Sequence, residues 1–131
     1  MKYLSFVRSS EKYRKLAPPA ALMEAMGKFI EQTSREGGLV DTGGLAPSEQ
    51  GFRIRLQGGT LTTTDGPFSE SKEVIGGWAI LQANSKPEIL RLSSEFMELH
   101  RKYWPEFEGE CEVRPIEFQS QHCPGRAGAG G

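Results

Sequence analysis

The residues of this chain best equipped for chemistry are Asp65, Phe68, Lys72, His100 and Arg114. Three of them fall in the run Asp65-Gly66-Pro67-Phe68-Ser69-Glu70-Ser71-Lys72-Glu73, which packs turn chemistry and reactive groups into one short stretch. Asp-Gly-Pro cannot continue a helix or a central strand, because glycine relaxes φ while proline fixes it and deletes a donor. A loop this dense, set between two strands, is where function concentrates. Asp65 at a strand end is a candidate basic or ligand-binding carboxylate, and equally a turn residue capping the backbone that follows. Phe68 is a candidate ligand contact, or a plug for a partner's core. Lys72 and Glu73 begin a strand, so their side chains point to opposite faces.

His100 is the one histidine in a segment with helical periodicity; His122 lies in the terminal stretch. A histidine there can carry protons near neutral pH. It can also sit at the core edge with its polar tip hydrogen-bonded near Tyr103-Trp104-Pro105. Arg114 offers a planar fork for a carboxylate or phosphate; the alternative is an ion pair across subunits to Glu70 or Glu73. Ser69 and Ser71 lack a nucleophile-elbow context. Cys111, between two glutamates, reads as an inert core thiol, since acidic neighbours raise a thiol's pKa. No metal-ligand spacing and no phosphate-loop pattern is present, so neither metal nor cofactor is expected.

These residues need elements to position them. Lys2–Val7 is rich in β-formers and predicts a first strand. Pro18-Pro19 opens a helix on which Leu22, Met26, Phe29 and Ile30 recur at helical spacing, ended by Gly37-Gly38 near Glu36. Leu39–Leu45 is a short extended piece. Phe52, Ile54 and Leu56 alternate with Arg53 and Arg55, the pattern of a half-buried strand. Gly58-Gly59 interrupts it and Leu61–Thr64 resumes it. Val74–Ala83 is a strand whose Gly76-Gly77 pair predicts a bulge or a close backbone approach. A second helix spans Lys86 to Tyr103, with Ile89, Leu92, Phe96, Leu99 and Tyr103 as its apolar stripe. Glu110–Phe118 is the last strand, and 119–131, ending Gly-Arg-Ala-Gly-Ala-Gly-Gly, reads as a flexible tail.

The order β-α-(β)-β-β-α-β is close to the ferredoxin-like split βαβ arrangement: an α+β fold, with one domain over 1–118. Two helices cover one face of an antiparallel sheet. Glu112, Arg114, Ile116 and Phe118 lie on the other face of the last strand, apart from Cys111 and Val113. Both faces carry apolar side chains, so a homodimer, sheet face to sheet face, is the expected remedy.

Asp65-Gly66-Pro67-Phe68 with Ser69-Glu70-Ser71-Lys72-Glu73 and Gly76-Gly77-Trp78 resembles the DGPF-type branch of the YCII-related family. Gly38-Leu39-Val40-Asp41-Thr42-Gly43-Gly44-Leu45 resembles that family's glycine-bounded segment after the first helix, and Glu112-Val113-Arg114-Pro115-Ile116 its closing strand. The resemblance implies a ferredoxin-like fold in a dimeric α/β-barrel assembly. Enzyme-like relatives use a His–Asp pair, but the expected helix-one histidine falls near Ala20-Ala21 here, so that dyad does not carry over.

Composition narrows the classes. Lys and Arg number 16 against 17 Asp and Glu, a formal net charge of −1, with no basic stripe. A nucleic-acid partner is therefore not expected. No apolar run approaches the roughly 18 residues of a membrane span, and the N-terminus reads as a strand instead of a signal peptide. Two cysteines make no disulfide framework, which points to a reducing cytoplasm. The expected function is a small-molecule-binding homodimer. A cofactor-independent proton transfer or elimination would use Asp65 and His100 in a sheet-lined cleft, with Arg114, Phe68 and Lys72 holding an anionic or aromatic ligand. The other reading is a non-catalytic regulatory or protein-interaction module.

Overall fold

The computed structural model describes residues 1–10, 16–67 and 74–117. Phe68, Lys72 and the rest of 68–73, and the predicted tail, lie outside the described residues. The elements run β1 (Lys2–Ser9), α1 (Ala20–Arg35), β2 (Leu39–Gly44), a 3-10 turn (Ser48–Gln50), β3 (Phe52–Gln57), β4 (Thr60–Asp65), β5 (Val74–Gln82), α2 (Lys86–Tyr103) and β6 (Gly109–Pro115). Strands β2, β5, β1 and β6 form one sheet in that order, antiparallel at every pairing. This is the ferredoxin-like order, with β3 and β4 inserted between its second and third strands as a separate two-stranded sheet.

Local chemistry accounts for the element ends. Pro19 stands at the N-cap of α1, where its missing donor costs nothing. The helix closes in a Schellman motif: Gly37 takes φ +82, its N–H donates to the Ser34 carbonyl, and the Gly38 N–H donates to that of Thr33 at 2.9 Å. Ser85 caps α2, its hydroxyl accepting from the Glu88 N–H at 3.3 Å, with proline in the first turn. Gly58 and Gly59, φ +59 and +81, make the tight turn of the β3–β4 hairpin.

The helices pack on the face of the large sheet that carries Tyr3, Leu81 and Val113, joining Ala83, Ile89 and Leu92 in the core. Full burial of Leu22, 1% exposed, ties α1 down. The other face carries the neighbouring pairs Leu4–Ile80 and Phe6–Trp78. Arg114 and Glu112 stand opposite Leu4 and Phe6 on β6, so the predicted division of β6 into two faces holds. Gly76-Gly77 is a bulge: the register slips between Val7, opposite Gly77, and Arg8, opposite Ile75.

The half-buried strand expected at Phe52–Leu56 is exposed along its whole length. It pairs with β4 alone and lies against neither the large sheet nor the helices as a third layer. The last strand ends at Pro115, short of the predicted Phe118.

Candidate functional site

A partly enclosed cavity of about 320 Å³ lies between the two helices and the large sheet. Its cause is legible in the register. Ser5, Val7, Gly77, Ala79 and Gly44 are cross-strand neighbours on the helix-facing side. They put small or absent side chains where the core end of the same strands has Tyr3 and Leu81. Nothing lies within 4 Å of where a Cβ on Gly44 would point. Helix α1 spans this thin region with Met26, Phe29 and Ile30, and α2 closes it with Leu92 and Phe96. The volume is at the small end of the range for ligand pockets, and methionine in the roof can re-pack around different shapes.

The lining holds no carboxylate, imidazole, ammonium or guanidinium among the described residues. Its hydroxyl and thiol groups are already engaged, with one exception. The Thr33 hydroxyl donates to the Phe29 carbonyl at 2.6 Å, and that of Thr42 to the Trp78 carbonyl at 2.8 Å. Ser5 Oγ and Cys111 Sγ lie 3.3 Å apart as a hydrogen-bonded pair. The Ser93 hydroxyl is buried with no partner, a state that costs about 1–3 kcal/mol. Cys111, expected as an inert core thiol, is half-buried and lines the cavity.

The residues singled out in the sequence fall elsewhere. His100 is 9% exposed and sits in an aromatic cluster with Phe96 and Phe107, ring centroids 5.0 and 5.1 Å away. Its Nδ1 lies 3.2 Å from the Phe96 carbonyl oxygen, which can only accept, so Nδ1 carries the proton. Burial holds its pKa below the ordinary 6.5, against a smaller upward pull from that hydrogen bond. Arg114 is on the sheet face away from the helices, its side chain 74% exposed, and its Nε donates to Glu112 Oε2 at 2.8 Å. Arg8 reaches the other oxygen of Glu112 at 3.4 Å and lies 5.3 Å over the Phe6 ring. Asp65 ends β4, exposed and opposite Phe52. None of the three lines the cavity, and His100 and Arg114 are on opposite sides of the sheet.

Gly66, next to Asp65, has a packing role. Its N–H donates to the Gly51 carbonyl at 2.9 Å. A Cβ there would run into the Ser48 carbonyl, closer than side-chain carbons approach. Asp65-Gly66 thus seats the base of the hairpin on the 3-10 turn. Gly43 has a comparable constraint on the open sheet face, where a Cβ would lie 2.9 Å from Trp78 Nε1; the indole lies across the bare glycine. The sequence offered no separate signal for the cavity beyond its glycine pairs. Nothing in it showed that Gly44 and Gly77 would meet across two strands.

Topology and cavity together define a ferredoxin-like α+β domain with a ligand-sized chamber under its helices. The chain belongs to the YCII-related family, whose domain model matches residues 1–96. No curated protein matches it significantly. Among solved structures it is similar to the de novo designed protein Foldit4, with TM-score 0.44 and 12% identity over 89% of this chain and 100% of that one. It is also similar to the divalent cation tolerance protein Cut A1 from Thermus thermophilus, with TM-score 0.35 and 10% identity over 96% and 94% of the two chains. Among the described residues no helix is long and apolar enough to cross a membrane, and no cluster of three or more His, Cys, Asp or Glu could hold a metal.

Proposed function

We propose that this chain is a small-molecule-binding member of the DGPF-type branch, working as a cytoplasmic homodimer and holding an uncharged, largely apolar ligand in the chamber between helices and sheet. The observation that carries the reading is the chamber's lining. A ligand carboxylate or ammonium would lose its hydration there without meeting a described counter-charge, a cost of several kcal/mol. An apolar ring would gain about 25 cal/mol for each Å² it buries. Acid–base catalysis needs an ionisable group within hydrogen-bond reach of the reacting atom. Among the described lining residues the Cys111 thiol is the sole such group. Binding is therefore favoured over proton transfer by Asp65 and His100. Arg114, held by Glu112 on the far face, serves better as part of a subunit contact than as an anion anchor in this chamber.

The homodimer rests on the open sheet face. Leu4, Phe6, Trp78 and Ile80 form an apolar centre between Asp41 on the β2 edge and Glu112 and Arg114 on the β6 edge, with Arg8 at the end of β1. A two-fold axis through that centre would cover it with itself.

The test is a thermal-shift series pairing uncharged aromatic and alicyclic compounds with their carboxylate analogues. The uncharged members should raise the melting temperature and the carboxylates should not. Ser93→Leu, which fills the void and removes an unpaired hydroxyl, and Gly44→Val, which grows into open space, should each keep the fold and abolish the shift. Equal shifts from carboxylates, or shifts that survive in both variants, would overturn the reading.

A further inference from the structure

The β3–β4 hairpin has an amphipathic pattern whose apolar side no described element buries. Cross-strand pairing puts Phe52, Ile54 and Leu56 on one face with Asp65, Thr63 and Leu61 opposite them. The other face carries Arg53 and Arg55 against Thr64 and Thr62. Such strict alternation fixes strand register only where one face is buried. Yet Phe52, Ile54, Leu56 and Leu61 are 61%, 59%, 69% and 68% exposed. A lone two-stranded hairpin is marginal in water and needs packing to persist.

We propose that this hairpin is a dimerisation arm, its Phe52, Ile54, Leu56 and Leu61 face lying on a second copy of the same chain. The proposal rests on the homodimer reading and extends it to a second surface. Two observations select a second copy as the occupant. The first is continuity with the open sheet face. The arm leaves the sheet just past Gly43 and Gly44, the Leu45 N–H donating to the Gly76 carbonyl, and Gly43 is the residue over which Trp78 lies. An arm of six-residue strands reaches roughly 20 Å, enough to pass from its own sheet onto a partner seated on that face. The second is area. Four large apolar side chains leave on the order of a few hundred Å² uncovered, the size of the largest patch on a typical monomer, which is often functional. Doubled by a two-fold axis and added to the sheet-face contact, they reach the roughly 1,000 Å² that a stable interface requires. The arm face carries a single charge, Asp65 at its end, so it offers nothing to select a highly charged partner.

The experiment uses the full chain and measures its dimer dissociation constant by sedimentation, with hydrogen exchange of the hairpin amides at concentrations above and below that constant. The wild-type hairpin should gain protection as the dimer forms. The double substitution Ile54→Lys with Leu61→Lys should raise the dissociation constant about tenfold or more and remove that gain. Thr62→Lys, on the opposite hairpin face, should change neither. A dimer whose constant and hairpin protection are unmoved by the double substitution would sink the arm while leaving the sheet-face dimer standing. Hairpin protection independent of concentration would mean that the chain covers its own arm, and would equally refute the proposal. A wild-type chain that stays monomeric would overturn both readings.

Discussion

Acid should weaken this fold through His100, in a direction its surroundings fix. The ring is 9% exposed, wedged between Phe96 and Phe107, with its Nδ1–H on the Phe96 carbonyl. Desolvation lowers its pKa below 6.5, so the folded state favours the neutral ring. The unfolded chain protonates the same ring near the ordinary value. As pH falls through that value the unfolded state binds more protons than the folded one, and stability declines. The decline ends once pH passes below the folded-state pKa, and above the ordinary value the contribution is flat. Over the interval from about pH 7.5 to about pH 5.5 the loss from this one group is at most about 1.4 kcal/mol. In a domain of this size that is a drop of about 3–6 °C in melting temperature. Urea unfolding across the interval, compared with His100→Phe, isolates the effect: the variant keeps an aromatic ring but cannot titrate, so its profile should lack this component. Superimposable pH profiles, or a wild type that gains stability on acidification relative to the variant, would refute the assignment.

Two substitutions at glycines test the packing described above. Gly66→Ala sets a methyl group against the Ser48 carbonyl. Because backbone cannot swing aside as a side chain can, it should cost at least about 2–3 kcal/mol in denaturant unfolding and loosen the hairpin base. Gly43→Ala comes nearest the Trp78 indole, at 2.9 Å, and that side chain can tilt. A smaller loss of about 1–2 kcal/mol is expected, with a change in tryptophan emission as its signature; an unchanged spectrum would contradict the contact.

Much of the fold was legible because its signals are local. The bounds of α2 follow from Ser85, Pro87 and the apolar spacing to Tyr103, all short-range. The hairpin turn follows from Gly58-Gly59 and the bulge from Gly76-Gly77. What failed was burial. Alternation at Phe52–Leu56 announces a strand with an apolar side, but not whether that side is covered from within the chain or by another. The site was less legible still. Asp65, His100 and Arg114 drew notice for their chemistry, yet their positions depend on which sheet, helix face and sheet side each occupies. The chamber is the reverse case: it is made by residues with little chemistry, aligned by pairings between strands far apart in sequence.

That origin separates two properties that proteins usually couple. The floor of the chamber is main chain and minimal side chain, spanned by the ladder hydrogen bonds that hold the sheet together. The course of that floor is therefore set by the backbone pairing, and an added side chain, as at Gly44, would take up chamber space without moving it. The roof is Met23, Met26 and Phe29, carried on a helix whose attachment depends on Leu22 and Thr33, two residues that are buried. Exchanging the roof residues would redraw what the chamber accepts while leaving both the helix anchors and the sheet intact. Ligand preference can then drift among relatives of this fold, or be redesigned by hand, along one face of one helix.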